Sequence, residues 1–266
     1  IEDLRSGDDQ IGKRHPADFT LWKASKEGEP RWDSPWGDGR PGWHIECSVL
    51  ANRYLGTTLD IHGGGVDLVF PHHENEIAQS ECCFGKPLSR YWVHNGLVMV
   101  DNQKMSKSLG NFYTIKDALM NHIPDVVRHV ILSHNYSSSI DFSKDSFVAA
   151  ETRVFYYYKT LQQVLSFLSD NAGTGMPPNE ERGGLMRAFI ESMDDNFSTA
   201  KVMAALARSF ARANTVLNDA SMPTEGKVSI LNEFSNDIAE ISEVLQFLND
   251  SPPVIVEGMK NRHLQR

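Results

Sequence analysis

Cys47, His72 and Glu76 offer a thiol, an imidazole and a carboxylate. These are the donor types that bind zinc, at roughly 2.0 to 2.3 Å. If Glu74 to Phe84 is a helix, His72 and Glu76 stand four residues apart on one face of its first turn, where both can reach one ion. Cys47 then has to come back to that helix across a loop or strand. Residue type alone leaves a second reading open, because a lone cysteine also serves as a small buried apolar residue and a His-His pair at a helix start as a polar cap. Cys82 and Cys83 are expected in the core, since adjacent side chains on a helix diverge by about 100° and the first turn lies about 10 Å away.

The elements that must position these groups can be read in outline. Residues 1 to about 41 are rich in Asp, Gly, Pro and Trp and read mostly as turns, with a short strand or helix turn at Asp18 to Ala24 and Trp22 as a packing anchor. Ile45 to Leu55 suits a helix, and Thr58 to His62 a short buried strand ending at Gly63-Gly64-Gly65. A strand running into glycines and then a helix is how doubly wound folds place ligands at the carboxyl edge of a sheet. His62-Gly63-Gly64-Gly65-Val66-Asp67 is nevertheless neither a dinucleotide fingerprint nor a P-loop, so a plain tight turn and a nucleotide contact both remain open. Trp92 to Val100 is a second strand leading to Lys104-Met105-Ser106-Lys107-Ser108, a basic loop that in isolation reads as a solvated turn.

Farther on, Asp125 to His134 has the period of an amphipathic helix and Ile140 to Phe142 is extended. Phe147 to Asp170, Leu185 to Met193, Ala200 to Asn218 and Val228 to Leu248 carry apolar stripes expected to form a helical bundle, with Ser251-Pro252-Pro253 stopping the last helix.

The chain of 266 residues is long enough for one large or two smaller domains, and its 40% apolar composition is that of a globular protein. Three cysteines, two of them adjacent, make no disulfide framework, and the first residues lack the apolar core of a signal peptide, so a reducing, cytoplasmic setting is expected. No run approaches about 18 consecutive apolar residues, so no membrane span is expected. The net charge of −9 gives no support to nucleic-acid binding, though local basic patches remain compatible with it.

Gly42-Trp43-His44-Ile45-Glu46-Cys47-Ser48, His62 to Leu68, the run Phe70 to Ser80 and the Lys104 to Ser108 pentapeptide together resemble the cysteinyl-tRNA synthetase family of class I aminoacyl-tRNA synthetases. The resemblance is colinear from about Asp18 to Phe142, with a weaker echo at Met193 to Phe197. It implies an α/β fold, the C-terminal half of a class I nucleotide-binding (Rossmann-like) fold followed by an all-α helical bundle. The implied divisions are 1–41 as the tail of an insertion in the catalytic domain, 42–116 as the second half of the nucleotide-binding fold, 117–143 as a stem-contact region and 144–266 as a bundle against the anticodon stem.

The same resemblance implies one zinc ion on Cys47, His72 and Glu76, with a further cysteine ligand that this sequence does not contain. It implies close backbone approach of Gly63, Gly64 and Gly65 to adenosine, Asp67 at the ribose hydroxyls, and Trp43 as a wall against the amino acid. It places Lys104 and Lys107 on ATP, used with Mg2+. When a carboxylate attacks the α-phosphate, negative charge builds on the phosphoryl oxygens and the departing pyrophosphate, and cations placed there lower the barrier.

The implied activity is cysteine-tRNA ligation, with L-cysteine, ATP and tRNA(Cys) as partners and a monomer as the expected state. Zinc would separate cysteine from serine, which a pocket measuring size alone would do poorly. His44, His62, His73 and His94 lie close to these motifs without an assigned role. No segment matches the His-Ile-Gly-His signature of class I, so the chain is expected to be a fragment lacking the first half of the nucleotide fold and a C-terminal anticodon segment, and to be inactive alone. The related cysteine ligase of mycothiol synthesis and a zinc-binding module without catalysis are the alternatives.

Overall fold

Two compact units make up the chain, Ile1–Asn95 and Gly96–Arg266. The structure, a computed structural model, describes residues 13–100, 103–106, 110–174 and 183–264.

In the first unit, β1 (Trp22–Ala24) pairs antiparallel with β2 (Gly39–Pro41), and the Trp22 indole donates to the Gly37 carbonyl at 3.2 Å, pinning the turn-rich segment. Helix α1 (Trp43–Leu55) starts two residues earlier than the pattern suggests, from an extended Gly42. Strand β3 (Leu59–Gly65) then pairs in parallel with β4 (Ser89–Asn95), in a register that sets Ile61 beside Tyr91 and Gly64 beside His94. Parallel strands need a crossover. It is supplied by a tight turn at Val66–Leu68, a wider one at Val69–His73, and helix α2 (Glu74–Phe84), which ends on a left-handed Gly85.

Three expectations are corrected here. The strand before the glycines does not end at them but runs through all three, and only its Leu59 is buried, the other residues being exposed or half-buried. Cys82 and Cys83 are exposed and not in the core, because the buried face of α2 is the polar one carrying Asn75, Glu76 and Ser80. The single strand expected from Trp92 to Val100 is two, β4 and β5 (Val98–Val100), broken at Gly96. A Cβ at Gly96 would sit 2.2 Å from the Ser138 backbone, so only glycine lets the chain leave one sheet and enter the next.

The second unit opens with a three-stranded sheet in which β5 lies between β6 (Gln103–Lys104), antiparallel, and β7 (Ile140–Asp141), parallel. Helix α3 (Ile115–Asn121) was not anticipated, although Thr114 and Asp117 form a reciprocal capping box at its start, a signal legible in the sequence. Helix α4 (Pro124–Leu132) precedes the bundle of α5 (Lys144–Asp170), α6 (Gly184–Asp194), α7 (Thr199–Asn218) and α8 (Thr224–Leu245).

The bundle core joins Val126, Val154, Tyr157, Leu206, Phe210, Leu231 and Ile241. Tyr157 stacks on Phe210 with ring centroids 4.3 Å apart. Asp125 is buried among them and accepts from the Tyr158 hydroxyl at 2.5 Å and the Leu248 N–H at 3.0 Å, tying α4 and α5 to the turn after α8. That turn corrects the last expectation. Gln246 adopts φ 51° and ends α8 three residues early, and the prolines at 252 and 253 start a further helix, α9 (Pro252–Leu264), where a missing N–H does no harm.

Candidate metal centre and signature loop

Helix α1 carries Cys47, the turn before α2 carries His72, and α2 carries Glu76. Their ligand atoms all lie within 4.8 Å of one another. The path between Cys47 and α2 passes through β3. Glu76 is 0% exposed, and its two carboxylate oxygens differ. Oε2 faces the Nε2 atoms of His62 at 3.0 Å, His72 at 3.5 Å and His73 at 3.9 Å. Oε1 is buried without a hydrogen-bond partner.

A buried polar atom left unpaired is normally destabilising by about 1 to 3 kcal/mol, more for a charged group, and calls for an explanation. Among the described residues, the buried side-chain atoms in this condition are Ser48 Oγ, Asn75 Nδ2, Glu76 Oε1 and Ser80 Oγ, all on α1 or α2. Burial, and then the carboxylates of Glu76 and Glu46, push the Cys47 thiol up. The same surroundings that disfavour a bare thiolate favour a cation beside it. A soft thiolate, an imidazole and a carboxylate suit zinc, so the donor set fits that ion.

Histidines surround the group on both sides. His44 Nδ1 and His72 Nδ1 are 2.9 Å apart, and with the proton carried on His72 Nδ1 the His72 Nε2 keeps a lone pair that could serve a cation beside Glu76 and Cys47. Trp43, 57% exposed, stacks on the His72 ring at 4.5 Å between centroids and 24° between planes. His73 Nδ1 meets His94 Nε2 at 2.8 Å, and burial, followed by the neighbouring His62, His94 and His72, pushes His73 down to about 4. His62, His73 and Glu76 form a second group of ligand atoms within 4.8 Å, sharing the same carboxylate. Of the four histidines without a role in the sequence, His44, His62 and His73 are thus neighbours of the expected ligands, and His94 meets His73. Alternation along β3 and β4 puts His62 and His94 on the face toward α2, while His44 lies on α1 and His73 in the turn before α2.

The glycines serve close approach and not a turn. A Cβ on Gly63 would lie 2.9 Å from the Val93 carbonyl oxygen, and one on Gly64 would lie 3.0 Å from both His73 Cε1 and Leu68 Cδ1. Asp67 is exposed, and its Oδ1 sits 2.5 Å from where a Gly65 Cβ would be. Lys104 ends β6 in the second unit with an exposed side chain. Lys107 lies outside the described residues. The expected 42–116 segment therefore contributes to both units, the metal group and the glycine strand in the first and Lys104 in the second.

Residues 1–152 match the family model for the tRNA synthetases class I (C) catalytic domain. The chain belongs to this family. A cysteine-tRNA ligase of Geotalea daltonii is 45% identical over 278 residues, covering 98% of this chain and 56% of that protein. A cysteine-tRNA ligase of Syntrophobacter fumaroxidans is 50% identical over 219 residues, covering 77% of this chain and 44% of that protein. The chain thus spans about half the length of the curated relatives it matches.

A solved structure described as an arginyl-tRNA synthetase from Campylobacter jejuni overlays with a TM-score of 0.55 at 13% identity, over 85% of this chain and 58% of that one. At that identity the overlay speaks for the fold alone, and it supports the class I synthetase architecture read from the sequence. In this class I chain α1 supplies the thiol, the β3–α2–β4 crossover carries the imidazole, the carboxylate and the glycine strand, and the β5–β6 edge carries the start of the lysine loop.

Proposed function

We propose that the chain is the cysteine-selecting portion of a cysteine-tRNA ligase, which activates L-cysteine with ATP and Mg2+ and passes it to tRNA(Cys). The observation that carries this reading is the fully buried Glu76, whose carboxylate has one oxygen without a partner and lies with the Cys47 and His72 ligand atoms within 4.8 Å of one another. Zinc on Cys47, His72 and Glu76 would supply, when bound, a Lewis acid that favours a substrate thiolate and offers a serine hydroxyl no equivalent bond near neutral pH.

The chain's own residues do the positioning. His44 holds the tilt of His72 through the 2.9 Å contact between their Nδ1 atoms. Trp43, flat on His72 and more than half exposed, gives a small amino acid an apolar wall. The Gly63 to Gly65 backbone lacks side chains where adenosine would approach, and Asp67 offers acceptors for ribose hydroxyls. Lys104 and Lys107 bring positive charge to the phosphates as negative charge develops there. The helices of residues 144–266 would lie along the tRNA.

Cysteine-dependent pyrophosphate exchange and charging of bulk tRNA, measured on a polypeptide of the relatives' full length that carries this chain, test the reading. Both activities are expected with cysteine and neither with serine. A polypeptide that activates cysteine and leaves tRNA uncharged would contradict the ligase and point to transfer onto another amine.

A further inference from the structure

One side chain in the second unit holds the signature loop at two points. The main chain leaves the sheet at Lys104, whose partner across β5–β6 is Met99, and the next N–H, that of Met105, donates to the Val98 carbonyl at 3.0 Å. Asn111 then reaches back to the same stretch. Its Nδ2 donates to the Lys104 carbonyl at 3.2 Å, and its Oδ1 accepts from the Ser106 N–H at 2.9 Å.

Gly110, at φ +67°, gives the chain the left-handed turn just before Asn111, a conformation other residues adopt only with strain. Three residues after Asn111, Thr114 begins the capping box of α3, so the segment that carries the amide is itself anchored. A primary amide presents a donor and an acceptor on one rigid plane. Aspartate of the same length keeps the acceptor and loses the donor, and alanine offers neither. Asn111 is only half-buried and lies outside the apolar core, so the core does not account for its two bonds.

We propose that Asn111 is a positioning residue for cysteine activation: a two-point clip that fixes the backbone of Lys104 and Ser106, and so where the loop's first lysine meets phosphate charge. This rests on the ligase reading. The Lys104 backbone is held by the β5 ladder on one side and by the Asn111 amide on the other. Release of the second anchor leaves β5–β6 paired and lets the loop rotate about its neck.

The test uses Asn111→Ala and Asn111→Asp in the full-length polypeptide, with two readouts: pyrophosphate-exchange kinetics and hydrogen exchange at the Ser106 amide without substrate. Misplacing a catalytic group by about 1 Å can lower rates roughly 10²-fold, and losses approaching that size are expected in kcat for both variants. KM for cysteine and zinc content should stay as in the wild type, because neither depends on the loop. The Ser106 amide should exchange faster in Asn111→Ala and stay protected in Asn111→Asp, which retains its acceptor. This split separates a clip from general loosening of the fold.

Wild-type turnover in both variants, or equal Ser106 exchange in the wild type and Asn111→Ala, would overturn the proposal. A wild-type polypeptide without cysteine-dependent exchange would overturn the ligase reading instead, and the Ser106 amide would still report whether the clip exists.

Discussion

Glu76 stands at the meeting point of two sets of ligand atoms, one with Cys47 and His72 and one with His62 and His73. Its Oε1 has no partner, while Oε2 has three imidazoles around it. Glu76→Gln keeps the volume, removes the charge, and puts an amide where a cation would sit. Zinc affinity should fall by more than about tenfold, measured by competition with a chromophoric chelator. Unchanged affinity would mean that the carboxylate is not a ligand. That Cys47, His72 and Glu76 come together was legible through the family resemblance, because helical spacing by itself pairs only His72 with Glu76. The roles of His44, His62, His73 and His94 were not legible. A histidine in a strand can face either side, and only the β3–β4 register shows that His62 and His94 point toward α2.

At the scale of elements, β3 and β4 depend on glycine. The Gly63 Cβ position is blocked at 2.9 Å by a backbone carbonyl, which cannot rotate away as a side chain can. Gly63→Ala should destabilise the first unit by about 1 to 3 kcal/mol. Tryptophan fluorescence in denaturant reports this directly, because all five tryptophans lie in that unit. Gly184→Ala makes the contrasting case: nothing lies within 4 Å of its Cβ position at the start of α6, and stability should stay level or rise by up to about 1 kcal/mol. An equal loss in both variants would show that close approach is not what β3 requires.

The long helices were legible from their apolar period, which local sequence encodes. The break at Gly96 and the end of α8 at Gln246 were not. The first depends on the Ser138 backbone, more than forty residues away in sequence. The second is a left-handed cap on a residue other than glycine, followed by a Leu248 N–H whose acceptor is Asp125.

For the molecule as a whole, composition gave sound limits and little more. A net charge of −9 neither favours nor excludes an RNA partner, and no helix among the described residues is long and apolar enough to cross a membrane. The second unit carries its own pH dependence. Burial, and then Arg153 and His134, push His129 down to about 4 from its ordinary 6.5. Above the ordinary value both folded and unfolded chains hold this imidazole neutral, and its contribution is fully present. As pH falls from about 6.5 toward 4 the unfolded chain takes up a proton that the folded chain refuses, so up to about 3 kcal/mol of stability is lost. Asp125, whose carboxyl burial pushes up, works in the opposite sense. The comparison is therefore with His129→Gln, which leaves Asp125 in place and should flatten the decline in helical stability followed by circular dichroism.

Zinc content decides most directly whether this chain is built to hold the ion that would select cysteine. The chain is purified without chelator, zinc per chain is measured by elemental analysis, and the measurement is repeated on Cys47→Ser. About one zinc per chain, lost in the variant, is the predicted result for a thiolate-containing site. Zinc retained unchanged by Cys47→Ser would contradict the assignment of Cys47, His72 and Glu76 as its ligands, and zinc absent from both would contradict the claim that these three suffice to hold it.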